Sequence, residues 1–254
     1  MKKRSLFLLA LFLLFGARSF ASEPLFDLST ISYFDDAHFA FIQQITKENP
    51  QHHRGGGGRF MPEKGEVWID FQSRRNGDSY EMVTESRQSE RLLYTTKAVV
   101  SRFGITERYV MYDETGEPSY SYRYDATVGK GFVAYLDEDG NQVEKSVTIN
   151  PDAYSMMTIP YIIGALRIDD TERHSLHALV GDGRTFGLYI QEIDREVVLV
   201  GGRSYTCSKI ECGFSGIIGL FAPKLLFWVD EKSRIPVKQD MMGGSIIEVE
   251  RVYD

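Results

Sequence analysis

Residues 66–86, EVWIDFQSRRNGDSYEMVTES, decide the fold class of this chain. Val67, Ile69 and Phe71 recur at every second position, which is typical of a β-strand that buries one face. Asn76-Gly77 follows, the dipeptide preferred at tight hairpin turns, and a second alternating run comes directly after it. The stretch therefore predicts an antiparallel β-hairpin.

Similar short runs separated by turn residues continue to the end of the chain. They include RLLYTTKAVVSRFG, TERYVMYDE, SYSYRYDAT, TFGLYIQEI, LLFWVDEKSRIPVKQD and SIIEVERV. Their number and spacing predict about ten strands in one antiparallel sheet, without alternating strand–helix units.

Two stretches predict helices. Residues 31–49 carry Phe34, Ala37, Phe41 and Ile45 at three- and four-residue spacings, which indicates an amphipathic helix. Residues 151–168 are apolar and predict a helix that ends near Thr158, because a proline at 160 clashes with the preceding turn; a second short helix or a buried loop follows. The expected fold is mainly β (α+β): a curved antiparallel half-barrel whose concave side is covered by the N-terminal helix and a second short helix.

The N-terminus has the features of a cleaved secretory signal. A basic start is followed by ten apolar residues, 6–15, which are too few to cross a bilayer, and small residues precede a cut after Ala21. We therefore expect a periplasmic protein with a signal peptide (1–21), an N-terminal helix and glycine-rich loop (22–64) and one β domain (65–254). No other segment approaches membrane-spanning length.

Charge and composition narrow the choice of partner. Removing residues 1–21 removes four basic and no acidic residues, which takes the formal charge from −7 to −11. A chain this acidic, with no large basic cluster, is a poor binder of nucleic acid or anionic headgroups. The 43% apolar share predicts a packed globular protein.

The sequence offers no convincing catalytic or metal centre. Ser215 in GFSGI lacks the closing glycine and the strand–turn–helix context of a nucleophile elbow, and Ser155 has no visible base. His174 and His177 are spaced for one helix face but lack further zinc ligands, and the four-glycine stretch lacks the Gly-Lys-Ser/Thr of a phosphate loop. We therefore predict no enzyme activity, no metal and no cofactor.

The two cysteines, Cys207 and Cys212, suggest a disulfide in an oxidising compartment. In one straight strand their Cα atoms would stand about 16–17 Å apart, whereas a bridge requires less than about 7 Å. A disulfide therefore needs a turn within residues 208–211, and a catalytic thiol is the lesser alternative.

Aromatic and methionine side chains remain as candidates for ligand binding. They suit a cavity for an apolar molecule because they adapt to irregular shapes, although for each residue taken singly packing of a core is the better explanation. Neighbouring residues of a strand point to opposite faces, so only one of Phe227 and Trp228 can face such a cavity. The candidate ligand-binding residues are Trp68, Tyr122, Met156, Met157, Phe227 and Trp228.

The C-terminal motifs resemble a family of bacterial envelope proteins that carry a domain of unknown function. The resemblance covers roughly residues 65–254 and uses Phe227-Trp228-Val229, Arg234, Pro236, Val237-Lys238, residues 246–252, Asp152, Ser155 and Leu166-Arg167. Its architecture is similar to that of the lipoprotein carriers LolA and LolB, an incomplete antiparallel barrel with helices on its open side. The resemblance implies a carrier-like fold and supplies no catalytic residues.

The sequence therefore predicts a non-catalytic periplasmic carrier for an apolar, lipid-like ligand in cell-envelope maintenance. The alternative is a structural or partner-binding envelope protein whose interior is filled by its own side chains. A hydrolase is a third and weaker interpretation.

Overall fold

The computed structural model of the chain describes residues 24–46, 64–125, 128–137, 140–150, 153–167, 171–180, 183–216, 219, 222–241 and 245–253. The predicted signal peptide and the four-glycine loop lie outside these residues. Within them, short 3-10 helices span Leu28–Thr30, Ser32–Asp35 and Ile163–Ala165, and one α-helix, α1, spans Ile159–Ile162. The strands of this described part are β1 (Asp36–Ile45), β2 (Gly65–Asn76), β3 (Ser79–Gln88), β4 (Arg91–Ser101), β5 (Thr106–Asp113), β6 (Pro118–Asp125), β7 (Lys130–Leu136), β8 (Gln142–Thr148), β9 (Ala153–Ser155), β10 (His174–Leu179), β11 (Thr185–Val200), β12 (Arg203–Phe214), β13 (Leu225–Asp230), β14 (Pro236–Met241) and β15 (Ser245–Val252).

All fifteen strands of the described part form one sheet, in the order β8-β7-β6-β5-β4-β3-β2-β1-β15-β14-β13-β12-β11-β10-β9. Neighbouring strands are antiparallel except β9 and β10, which are parallel. The first strand, β1, hydrogen bonds to β2 on one side and to the last strand, β15, on the other. The chain therefore starts in the centre of the sheet and builds a meander on each side of it.

The antiparallel hairpin predicted for residues 66–86 is present. Asn76 pairs with Ser79 across the β2–β3 turn, and Gly77 takes the left-handed backbone conformation that the turn requires, with φ +63°. Val67, Ile69 and Phe71 are all buried. Period-two alternation thus identifies the buried face of this strand correctly.

The expected ten-strand half-barrel with two covering helices is wrong in strand number and in its cover. Among the described residues there are fifteen strands, and α1 has only four residues. Within the predicted helix at 31–49, Ser32–Asp35 is a 3-10 turn and Asp36–Ile45 is β1, while residues 47–49 lie outside the described part. Ala37, Phe39 and Phe41 are buried at alternate positions of this strand, as the period of a strand requires. Ala37 and Phe41 also fit the helical spacing, and pairing on both edges decides for the strand.

In residues 151–168 we expected a helix that ends near Thr158, but the observed helix, α1, begins at Ile159. Ala153–Ser155 is β9. Pro160 lies in the first turn of α1, where its missing N–H has no intrahelical partner to lose. The proline therefore starts a helix instead of terminating one.

The two edge strands of the sheet, β8 and β9, follow one another in the chain. From Thr148 to Ala153 the backbone spans at most about 18 Å, so the two ends of the sheet are held close together. Gly183, in the β10–β11 turn, packs against β8: a Cβ added to Gly183 would lie 2.8 Å from Val147 Cγ1. We call this contact between Gly183 and β8 the seam; within the described residues β8 and β9 are the two edge strands and do not pair with each other.

Curling of the sheet gives it a buried interior face. Phe39 and Phe71 stack with ring centroids 6.2 Å apart, and Tyr161 of α1 stacks on Phe71 at 4.7 Å. The short helix thus packs against the interior face. In the part of the chain that the structure describes, no helix has the length and hydropathy needed to cross a membrane.

Candidate functional site

The interior face of the sheet and α1 enclose a cavity of about 200 Å³. Strands β1, β2, β4, β5, β14 and β15 contribute side chains to it, and Met156, Met157, Pro160 and Tyr161 close the opposite side. Its apolar lining comprises Phe41, Ile69, Met111, Met156, Met157, Pro160, Met241 and Ile247. Four of these eight side chains are methionines, which adapt to irregular apolar shapes.

Gln239 contributes an amide to this apolar lining. Its side chain is 1% exposed, and Nε2 donates to the backbone oxygen of Pro160 at 3.2 Å. Because a carbonyl can only accept, this bond fixes the orientation of the amide. No described residue donates to Gln239 Oε1, which is a buried acceptor without a protein partner, and the residue itself belongs to the lining of the cavity.

Gln43, Thr96 and three tyrosines, Tyr94, Tyr109 and Tyr161, complete the polar part of the lining. Burial raises the pKa of each tyrosine, so the three phenol hydroxyls are neutral at physiological pH. Tyr94 and Tyr161 nevertheless retain some accessible surface. That surface faces the cavity, which therefore combines apolar walls with neutral hydrogen-bonding groups and no charge.

Arg234 attaches the helical side of the cavity to the sheet. It lies in the β13–β14 turn, where its Nε donates to Gly164 O at 3.0 Å and its Nη2 to Leu166 O at 3.1 Å. These carbonyls belong to the 3-10 turn after α1 and to the residue that follows it. The geometry of the cavity thus depends on a side chain from a neighbouring turn.

Of the six ligand-binding residues predicted from the sequence, two line the cavity and four lie elsewhere in the fold. Met156 and Met157 line the cavity, with Met157 39% exposed at its rim. Tyr122 and Phe227 are buried outside the cavity lining. Phe227 pairs with Gln239 across β13–β14, so it shares the interior face with the cavity.

Trp68 and Trp228 lie on the outer face of the sheet. Trp68 is half-buried and adjacent to Ile69, which faces the cavity. Trp228 donates from Nε1 to Glu196 Oε1 at 2.6 Å, and the ammonium groups of Lys209 and Lys238 lie 5.0 and 5.8 Å from its ring centroid. The hydrogen bond from Trp228 is the main cause that lowers the pKa of Glu196. Charged side chains therefore cover Trp228 on the outer face of β13.

Cys207 and Cys212 lie in the same unbroken strand, β12, and both thiols are free and buried. The turn that a disulfide between them would require is not present in residues 208–211, so this strand does not accommodate the predicted bridge. Burial raises the pKa of each thiol to about 12, which leaves them protonated and poorly nucleophilic.

The side chains considered for catalysis are dispersed. Ser215 is exposed and its backbone N–H donates to Gly187 O, His177 Nδ1 lies 3.0 Å from Asn150 Nδ2, and Ser155 Oγ accepts from the backbone of Met157. Among the described residues, no group of three or more His, Cys, Asp or Glu is arranged to hold a metal ion.

Sequence reasoning missed Gln239, the residue that gives the cavity its polarity. Its signal was present: Val237, Gln239 and Met241 occupy alternate positions of β14, so the glutamine lies in an otherwise apolar row. It also missed Met111, Tyr109 and Tyr161, whose approach to one another depends on the curvature of the sheet.

The comparisons with known proteins give a structural likeness and no match in sequence. No family model matches the chain, and no curated protein matches it. Among solved structures it is similar to a beta-barrel-like protein of domain of unknown function DUF1849 from Brucella abortus, with a TM-score of 0.46 and 8% identity over 87% of this chain and 99% of that one. The description of that protein states no function and names no lipoprotein carrier.

Proposed function

We propose that this protein is a non-catalytic binding protein of the periplasm that holds a small, mostly apolar molecule in the cavity between the sheet and α1. The ligand is a single short alkyl chain or ring that ends in a hydrogen-bond donor such as a hydroxyl or an amide. It binds with its apolar part against the methionines and its donor at Gln239.

The observation that carries this proposal is the unpaired Oε1 of Gln239. A buried acceptor without a partner costs about 1–3 kcal/mol, and a leucine at this position would avoid that cost. A ligand O–H or N–H removes the cost when it binds, so the glutamine selects for a donor. This arrangement also disfavours a pure hydrocarbon.

The size of the cavity narrows the ligand class further. About 200 Å³ lies below the roughly 300–1,000 Å³ of pockets that hold drug-sized molecules. It exceeds an engineered cavity of about 150 Å³ that binds benzene. The cavity therefore accepts one ring or a short chain, and the larger members of the lipid-like class expected from the sequence do not fit inside it.

A binding series of 1-alkanols tests the proposal, with alkanes of equal length as controls. We expect saturable binding of short alkanols, with an advantage over the matched alkanes of about tenfold in Kd, the equivalent of one hydrogen bond. Native mass spectrometry and displacement of a fluorescent probe measure both. Ile247→Phe, which fills the cavity, should abolish the binding. Absence of saturable binding to any member of the series would refute the proposal.

A partner-binding role is a second candidate, favoured by one feature of β11. Val197 and Leu199 lie on one face of this strand and are 68% and 69% exposed. Exposed apolar side chains that neighbour one another mark protein interaction sites more often than scattered ones do. Cross-linking in whole cells that recovers the same products from wild type and from Leu199→Asp would count against this role.

A further inference from the structure

The outer face of strands β5 to β8 carries a second hollow, of about 570 Å³, away from the interior cavity. Two cross-strand rows of side chains build it. One row is Arg108, Arg123, Phe132 and Ser146, and the other is Val110, Ser121, Ala134 and Glu144. Small residues form the floor between longer side chains, which explains why a sheet surface is concave at this place.

Two arginines face each other in the first row. Arg108 of β5 is directly opposite Arg123 of β6. Like charges at directly opposed positions of a sheet are destabilising. Within the described part of the chain, neither of these two guanidinium groups has a carboxylate at ion-pair distance. Other arginines of the sheet do: Arg91 pairs with Glu114 at 2.6 Å, and Arg87 pairs with Glu85 at 2.9 Å. The Arg108–Arg123 pair is therefore an uncompensated double positive charge on a chain of net charge −7.

The aromatic neighbour of this pair holds one guanidinium in place. Arg123 lies over the ring of Phe132, 4.6 Å from its centroid, and Phe132 is 37% exposed. The ring orients the guanidinium at the wall of the hollow instead of neutralising it. Ser121 and Ser146 add hydroxyl groups at the floor.

We propose that this hollow binds a phosphate group. Two guanidinium groups supply forked donors that match phosphate oxygens, and their combined charge matches the roughly −2 charge of a phosphate monoester at neutral pH. Glu144 lies in the neighbouring row, where it accepts from Gln142 at 2.9 Å. Lys145 also lines the hollow, so the end beyond the arginine pair carries one negative and one positive side chain and suits a neutral remainder of the ligand.

Arg108→Gln tests the proposal because its two expected effects have opposite signs. Without ligand the variant is at least as stable as wild type, since the like-charge contact is gone. Binding of glycerol 3-phosphate, measured by calorimetry, weakens at least about tenfold, as expected for loss of a charge-assisted contact. Arg203→Gln is the matched control: it removes the same charge from an exposed position at the start of β12 and should leave the affinity unchanged.

Two ligand sources give different results in this experiment. A free phosphate monoester as ligand predicts saturable binding of glycerol 3-phosphate. A lipid headgroup predicts binding only to phosphatidylcholine vesicles that contain phosphatidic acid. In either case the binding must be lost in Arg108→Gln, kept in Arg203→Gln and weakened by added salt in the wild-type protein.

Three outcomes would overturn the proposal: no binding to either probe, equal binding in wild type and Arg108→Gln, or equal losses in Arg108→Gln and Arg203→Gln. The last of these would show an effect of net charge alone. Arg123→Gln provides a second variant if Arg108→Gln fails to fold, and the salt dependence of the wild-type protein requires no variant. A salt-independent affinity would also contradict the proposal.

Discussion

Asp27 is the residue that ties the N-terminal segment to the sheet. It accepts hydrogen bonds from Arg102 Nε and Nη2, both at 3.0 Å, and from Ser29 Oγ at 2.6 Å. The hydrogen bond from Arg102 is the main cause that holds the pKa of Asp27 far below its usual range, against the opposing effect of burial. The Asp27 backbone N–H also donates to Ala165 O, so this carboxylate lies next to the turn that follows α1.

We predict that Asp27→Asn lowers the free energy of unfolding by about 2 kcal/mol at pH 7, because hydrogen bonds to charged groups contribute about 1.5–3 kcal/mol. The folded pKa is depressed, so this stability is present above the unfolded pKa near 3.9 and is lost as the pH falls through the folded value. The difference in the free energy of unfolding between Asp27→Asn and the wild-type protein should therefore decrease at acidic pH. Urea unfolding at a series of pH values measures it.

Asp35→Asn is the matched control for this prediction. Asp35 pairs with Arg75 at 3.7 Å, and both side chains are 46% exposed. Exposed ion pairs contribute about 0–1 kcal/mol, so the control should change stability by less than about 1 kcal/mol. If Asp27→Asn and Asp35→Asn lower the free energy of unfolding equally at pH 7, the Asp27 carboxylate contributes no more to stability than an exposed ion pair does.

At the scale of elements, β1 shows why sequence reasoning reached its limit. Local patterns identified the β2–β3 hairpin because its partner strand follows after two residues. β1 pairs with β15, two hundred residues away, and its apolar residues satisfy the spacing of a helix as well as that of a strand. The choice between the two depends on partners that no local window contains.

Short α1 depends on its contacts because four residues are too few for a stable helix alone. We predict that Arg234→Ala, which removes donors to Gly164 and Leu166, lowers the free energy of unfolding by at least about 2 kcal/mol. Arg234 has φ +63°, and alanine keeps the same backbone strain, so the loss comes from the contacts of the side chain and not from the backbone conformation. Amide exchange in residues 159–166 should also accelerate relative to the β2–β3 hairpin.

The control for Arg234 is Arg74→Ala, at an exposed position of β2. We expect this change to remain within about 0.5 kcal/mol of wild type, as is usual for surface substitutions. Unchanged amide exchange around α1 in Arg234→Ala would mean that the other contacts of the helix, the packing of Tyr161 on Phe71 and the hydrogen bond that the helix accepts from Gln239, hold it in place.

At the scale of the whole molecule, alternation predicted the antiparallel sheet and most of its buried faces, but not its order or its cavity. Phe41 of β1, Met111 of β5 and Gln239 of β14 meet at one cavity because the sheet curls. The two edge strands are also neighbours in the chain, since β8 ends at Thr148 and β9 begins at Ala153. Residue spacing within each strand does not reveal that these two strands lie at opposite edges of the sheet order.

The seam between the two edges makes a prediction that tests this closure. Gly183 has φ +83°, and a Cβ there would lie 2.8 Å from Val147 Cγ1 and 3.1 Å from Val133 Cγ2. Gly183→Ala should therefore carry both a left-handed backbone cost of about 1–2 kcal/mol and an overpacking cost of about 1–3 kcal/mol. Denaturant unfolding monitored by circular dichroism measures the sum.

Gly77→Ala separates the two costs, since Gly77 has φ +63° in the β2–β3 turn and a Cβ there would meet nothing within 4 Å. It should lose only the backbone contribution, which leaves a difference of at least about 1 kcal/mol between the two variants. That difference measures how firmly β8 is held against the β10–β11 turn in solution. If both substitutions cost the same, the edges of the sheet do not meet, and the curvature that brings Gln239 and Met111 to one cavity loses its structural basis.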